Sequence, residues 1–358
     1  MSPITIVILT FSLIGGIDFL LGNKFGVGKE FEKAFSLFGP MALSMLGMIV
    51  IAPYVGELLS HALDKFYELL GIDPSIITAS LFANDMGGMQ LSQTVAKNQE
   101  IGGYNAFIVS SMMGCVISFT IPFAIGVVKK EQHKELFFGL LCGIMTIPLG
   151  CLVAGLICGI DFLALIINLL PLVFIAIVVC ICLILFPKAS VKCFAVFGMI
   201  IKILAFVGLA LAIFTFLTKI EISPHFDTLE NGAFICVNAC VTLSGALPAM
   251  AIISKLLNKP LTKLASKIGL NGVSAVALLG NLVTNVSSVG VMDKMDKKGV
   301  VVNAAFAVSA AFVFGGHLAF TMAFDQAYVL PMIIGKLVAG VSAIVLACVL
   351  YKNSSNKI

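Results

Sequence analysis

Long apolar runs separated by short polar stretches dominate the chain. They fall at about 4–21, 35–60, 74–96, 104–128, 136–159, 162–186, 193–218, 232–255, 270–292, 299–324 and 327–351, eleven in all. Most are as long as the roughly 20 residues an α-helix needs to cross a bilayer. The pattern predicts an all-α polytopic membrane protein, one transmembrane domain over residues 1–358. The opening "MSPITIVILTFSL" carries no basic flank and reads as a retained first span, not a cleaved signal.

Eleven full crossings would scatter the lysine-rich loops over both sides of the membrane, against the tendency of short Lys-rich loops to stay cytoplasmic. One change restores order: segments 74–96 and 270–292 dip into the bilayer and return. About nine transmembrane helices then remain, with the N-terminus outside and the C-terminus cytoplasmic. Seventeen lysines lie on the inside, among them Lys129, Lys130, Lys255, Lys294, Lys298 and Lys357, and three outside, Lys65, Lys97 and Lys219. Lys202 and Lys336 lie within spans.

The two dipping segments resemble each other. Gly71-Ile72-Asp73-Pro74 aligns with Gly269-Leu270-Asn271-Gly272 at an offset of 198, and "AFIVSS" at 106–111 aligns with "AFAVSA" at 305–310 at an offset of 199. One hairpin enters from each side, so the chain reads as inverted repeats over 35–159 and 232–351, a recurring plan among secondary transporters.

Polar residues inside these apolar runs are the candidate chemistry. In "SLFANDMGGMQLSQ", Gly87 and Gly88 permit a sharp hairpin turn, since glycine accepts positive φ cheaply, and Asn84 and Asp85 sit at that turn. A carboxylate at bilayer depth is costly and reads as functional by default; the competing reading is a structural acid capping the hairpin or paired with Lys336. The second hairpin offers Asn281, Thr284, Asn285, Ser287 and Ser288 at the matching depth, as ligand contacts or as partners for a helix break. Ser111 and His317 lie on the following helices, and the offset of 199 pairs His317 with Ser118. Asn105 and Asn303 are expected to N-cap those helices. An anionic site beside amides and hydroxyls suits a small cation bearing a hydrogen-bonding group.

Composition narrows the remaining classes. The 358 residues are 60% hydrophobic and only 11% charged, where a soluble domain carries about 25% charged residues. The net charge of +4 comes entirely from lysine, with no basic–aromatic interleaving, so nucleic acid is not an expected partner. The ten cysteines sit mostly in apolar runs without a CxxC, which predicts small buried hydrophobes and no metal site. No nucleotide fingerprint, metalloprotease motif or nucleophile elbow occurs. The expectation is no cofactor and no enzyme; a homo-oligomer stays open.

The runs "GIDPSIITASLFANDMGGMQLSQTVA", "GIMTIPLGCLVAGL", "VVNAAFAVSAAFVFGGHLAFT" and "LPMIIGKLVAG" together resemble the ethanolamine permease family of bacterial ethanolamine utilisation. The resemblance extends over most of the chain. It implies uptake of ethanolamine across the bacterial cytoplasmic (inner) membrane, and binding between the two hairpin tips with alternating access is the expected mode. Asp85 would hold the ammonium, and neighbouring Asn, Thr, Ser or His groups the hydroxyl. It also implies an acid before the His of the "HL" pair, where this chain has Gly316. Alternatives are another small amine or a nucleoside-like solute as cargo, or a membrane-embedded enzyme or sensor using Asp85 and His317.

Overall fold

The computed structural model describes residues 2–355; Lys357 of the predicted inner tail lies outside them. The described residues form helices joined by turns, without strands. In chain order these are α1 (Pro3–Leu20), α2 (Gly28–Ser36), α3 (Phe38–Leu70), α4 (Ser75–Leu81), α5 (Gly88–Val95), α6 (Gln99–Tyr104), α7 (Ile121–Val127), α8 (His133–Cys158), α9 (Phe162–Leu185), α10 (Pro187–Thr218), α11 (Leu229–Lys267), α12 (Gly272–Val283), α13 (Asn285–Val289), α14 (Lys297–Ala310), α15 (Gly316–Phe324) and α16 (Val329–Ser355). Between α6 and α7 the chain stays helical but widens into π-helix at Asn105–Gly114 and again at Val116–Thr120. Eight of these stretches among the described residues are long and apolar enough to cross a membrane.

The span expected at 299–324 is not one helix. It breaks into α14 and α15 around a turn at 311–315. Phe312 takes a left-handed φ of 63°. The freed N–H groups of Phe312 and Phe314 donate to the carbonyls of Asn281 (3.1 Å) and Leu282 (2.8 Å). A backbone break at depth holds because another break supplies its partners. The span expected at 35–60 also differs: amphipathic α2 precedes it, and α3 continues to Leu70.

Close packing of small residues places α8 between α14 and α16. The backbone at Gly139 and Gly143 lies against Val301, Ala304, Ala305 and Val308, and Gly150 lies against Gly335 and Ala339. Without a hydrophobic force between lipid-solvated helices, such backbone approach is a main source of their association.

Side-chain contacts sort the loops into two ends. At one end Lys97 pairs with Asp64 (2.6 Å) and His225 with Glu57 (2.9 Å), while Ser2 and Thr5 reach Gln326. At the other, Lys129 pairs with Asp293 (3.2 Å) and Gln132 donates to the Met292 carbonyl. Lys255 and Lys298 cap the carbonyls of Phe25 and Ile268. The 29-residue helical run Gln99–Val127 connects the two ends, about 40 Å at helical rise.

Candidate functional site

Each dipping segment folds back to its own starting point. In the first, the Asp73 carboxylate accepts the N–H groups of Lys97 (2.9 Å) and Asn98 (2.8 Å), and its other oxygen accepts the Ser75 N–H and hydroxyl. In the second, Asp296 accepts the Asn271 N–H (2.9 Å) and the Ser274 hydroxyl, and the Asn271 amide donates to the Lys294 carbonyl. The first mouth lies at the end holding Lys97–Asp64, the second at the end holding Lys129–Asp293.

Local details recur between the two. Gly71 and Gly269 both end a long helix with left-handed φ, 65° and 78°. Asn98 caps α6 through the Ile101 N–H, and Asp296 caps α14 through the Gly299 N–H. Asn105 and Asn303 are therefore not the caps. They lie farther along their helices and tie them to the hairpins: Asn105 donates to the Ser75 hydroxyl and exchanges hydrogen bonds with Asn168, and Asn303 donates to the Ser274 carbonyl.

The first hairpin breaks after α4. Phe82 and Ala83 turn extended, Asn84–Met86 form one 3₁₀ turn, and Gly87 at φ 91° re-aims the chain into α5. The Ser118 hydroxyl accepts the Ala83 N–H at 3.1 Å and holds the break open. Asn84 is fully buried; its Oδ1 accepts the Asp85 N–H (3.0 Å), and its Nδ2 has no partner. Asp85 is half-buried, and its Oδ2 lies 3.7 Å from where a Cβ at Gly316 would stand.

The second hairpin breaks at Thr284, whose hydroxyl caps α13 at Val286. Asn281 is fully engaged. Its Oδ1 accepts the Ser288 hydroxyl (2.5 Å), its Nδ2 donates to Asn303, and its carbonyl accepts the Phe312 N–H. Asn285 donates to the Thr120 hydroxyl (3.1 Å), leaving a buried Oδ1 without a partner. Ser287 is exposed, bonds the Thr284 carbonyl, and with Thr284, Glu30, Lys33 and Ser254 lines a cavity of about 210 Å³.

The 311–315 turn sits between the two breaks. Its N–H groups pair with the second, while Gly316 just beyond it faces Asp85 in the first. The adjacent His317 is 1% exposed, lies tilted against Phe312 with ring centroids 5.0 Å apart, and receives Lys336 Nζ at Nδ1 (3.1 Å). Lys336, also 1% exposed, donates to the Ser111 carbonyl at 2.5 Å. The Ser111 hydroxyl turns back to Ile108, so it is the backbone of Ser111 that serves the site. As an ammonium Lys336 only donates, which makes Nδ1 the acceptor and places the neutral ring's proton on Nε2. Among the described residues Asp85 forms no ion pair within 4 Å. Lys336 is not among its hydrogen-bond or ion-pair partners in the described residues.

The site thus gathers Asn84, Asp85, Gly316, His317, Ser111 and Lys336, while Asn281, Thr284, Asn285 and Ser287 belong to the second break beyond the turn. Sequence reasoning missed the turn itself. Gly315-Gly316 before His317 was the available signal, parallel to Gly87-Gly88 after Asp85.

Comparison with known proteins places this architecture. The family model described as "Ethanolamine utilisation protein, EutH" matches residues 2–350. A Listeria monocytogenes protein named "Probable ethanolamine permease EutH" is 40% identical, covering 93% of this chain and 90% of its own length. Another of the same name, from Escherichia coli, is 33% identical over 96% of this chain and 94% of its own. "Uncharacterized protein YxeR" of Bacillus subtilis is 34% identical over 96% and 92%. No solved structure matches. The chain is a member of the EutH family of ethanolamine utilisation proteins.

Proposed function

We propose that this protein carries ethanolamine into the cell across the bacterial cytoplasmic membrane by alternating access, with Asp85 as the carboxylate that receives the substrate ammonium. The observation that carries the reading is Asp85 itself. Among the described residues it is a half-buried acid without an ion-pair partner, at the tip of a broken helix in an apolar bundle. The names of the relatives supply the cargo.

In this reading the two dipping segments are re-entrant hairpins of inverted repeats, 35–159 and 232–351, entering from opposite membrane faces. The opposed mouths and the matching caps support it. The end carrying Lys129, Lys255 and Lys298 is cytoplasmic by the positive-inside rule, which leaves the N-terminus outside and the C-terminus inside.

Ethanolamine at neutral pH is an ammonium with a hydroxyl two carbons away. Asp85 holds the ammonium. The free Nδ2 of Asn84 and the Nε2–H of His317 donate to the hydroxyl, and Asn285 Oδ1 offers an acceptor from the second break. Asn281, Thr284 and Ser287 shape that break. The membrane potential favours inward movement of the cation by about 2.3 kcal/mol per 100 mV, so no second ion is required.

The test is uptake of labelled ethanolamine by sealed proteoliposomes with voltage and pH set independently. Accumulation should follow an inside-negative potential and vanish in Asp85→Asn. Undiminished uptake by that variant would remove Asp85 from the mechanism. Choline or uridine competing better than unlabelled ethanolamine would reassign the cargo.

A further inference from the structure

We propose that the cavity between α2, α11 and the break of the second hairpin is a second substrate site, the inner vestibule from which a small hydroxyl-bearing ammonium leaves for the cytoplasm. Glu30 takes the ammonium there, and Thr284 and Ser287 take the hydroxyl. This role presumes the ethanolamine reading and the inner end assigned above.

Three observations carry it. First, Glu30 and Lys33 lie in a stretch, Gly28–Ser60, that is long and apolar enough to cross a membrane. Both line this cavity of about 210 Å³, together with Ser254, Val283, Thr284 and Ser287. Ionisable side chains in membrane spans are kept where water reaches them, and they mark the paths of polar solutes. Second, the hairpin break presents both a donor and an acceptor to a hydroxyl. Thr284 Oγ1 accepts the Val286 N–H, and among the described residues no acceptor takes its own proton. Ser287 gives its proton to the Thr284 carbonyl and keeps lone pairs to accept with. Third, the cavity lies one layer of backbone from Asp85. The Val283 carbonyl packs against Gly315 with no room for a Cβ, and Gly316, the next residue, faces Asp85 Oδ2.

The present partner of Glu30 is easily displaced. Lys33 Nζ stands 3.4 Å from Glu30 Oε2, and the two side chains are 55% and 32% exposed. A pair so open to solvent is weak. An arriving ammonium takes the place of Lys33, whose flexible stem carries its own ammonium into water, so no charge is stripped of hydration. Ser254 marks the inner rim: the next residue, Lys255, caps the Phe25 carbonyl at that end. Release is then a transfer from Asp85 to Glu30 past the paired backbone of Val283 and Gly315.

The test uses Ser254→Cys as a reporter that lines the cavity without serving the ligand. Inside-out membrane vesicles are treated with trimethylammonioethyl methanethiosulfonate, which does not cross the bilayer. Modification of that one cysteine is followed by mass spectrometry, which separates it from the native cysteines. It should react from the inner face, and ethanolamine should slow the reaction. Glu30→Gln should raise the half-protecting concentration about tenfold, the loss of one charged contact in a partly exposed site. Lys33→Gln, which removes the competing cation, should lower it. Protection should persist in Asp85→Asn, because the vestibule binds on its own. No reaction from the inner face, no protection by ethanolamine, protection unchanged in Glu30→Gln, or protection abolished by Asp85→Asn would each overturn the proposal. If Glu30→Gln does not elute as a folded protein, the opposite shift in Lys33→Gln decides. Uptake that survives Asp85→Asn would remove Asp85 from the mechanism while protection in the vestibule is read independently, so the two readings fail separately.

Discussion

Asp73 accepts the backbone N–H of Asn98 at 2.8 Å across 25 positions of chain, closing the first hairpin at its mouth. In the second hairpin the acid has changed ends: Asp296 reaches back to the N–H of Asn271 at 2.9 Å, also across 25 positions. Asp73 and Asn98 correspond at an offset of 198 to Asn271 and Asp296. Position is kept while the charge moves from one member of the pair to the other.

Asp73→Ala removes the acceptor for the N–H groups of Lys97 and Asn98 and for Ser75. Hydrogen bonds to a charged group contribute about 1.5–3 kcal/mol each, so the variant should melt well below wild type in detergent. Asp73→Asn, which keeps an acceptor, should lie between the two.

Gly87→Ala tests the turn below Asp85. The left-handed φ of 91° costs a residue with a Cβ about 1–2 kcal/mol, and the Met48 side chain must also move aside. A modest fall in melting temperature with a larger fall in uptake is expected, because the strain falls beside the proposed carboxylate. Uptake and stability both at wild-type level would mean that the turn does not need glycine.

Gly316→Ala should be tolerated, since its methyl would lie at ordinary contact distance, 3.7 Å, from Asp85 Oδ2. Gly316→Asp should do more. In an Asp85→Asn background it returns a carboxylate to the same spot at the start of α15, where a helix N-terminus favours negative charge. Partial recovery of ethanolamine uptake in the double variant, compared with Asp85→Asn alone, is the expected outcome.

Thr120→Val removes the hydroxyl that accepts from Asn285 Nδ2 and leaves that buried amide with no partner on either atom. A destabilisation of about 1–3 kcal/mol follows, measurable by thermal denaturation.

The apolar runs made the long helices legible, because a bilayer leaves a spanning chain few alternatives. The Asn84–Gly88 break was legible for the same reason: a carboxylate and two glycines have no place in a lipid-facing rod. The break at 311–315 was signalled only by Gly315-Gly316 at its end. Ala311-Phe312-Val313-Phe314 is apolar throughout, and its interruption depends on carbonyls of Asn281 and Leu282 that lie about thirty positions away in the chain. Asn105 and Asn303 were misjudged because an asparagine near the start of a helix suggests a cap, whereas here the cap stands seven positions earlier in both cases. The depth of Lys336 was readable; its grip on the Ser111 carbonyl depends on how α16 packs against the π-helical stretch and could not be read.

The clasps at the two mouths each join a carboxylate to peptide N–H groups, not to a basic side chain. Ion pairs beside them, Lys97–Asp64 and Lys129–Asp293, are between 37% and 65% exposed and fade as salt shortens the Debye length below about 8 Å. Asp73, only 8% exposed and bound to dipoles, escapes that screening. Ionic strength therefore acts on the rims of this protein and leaves the clasp of the first hairpin fastened, in brine as in dilute buffer.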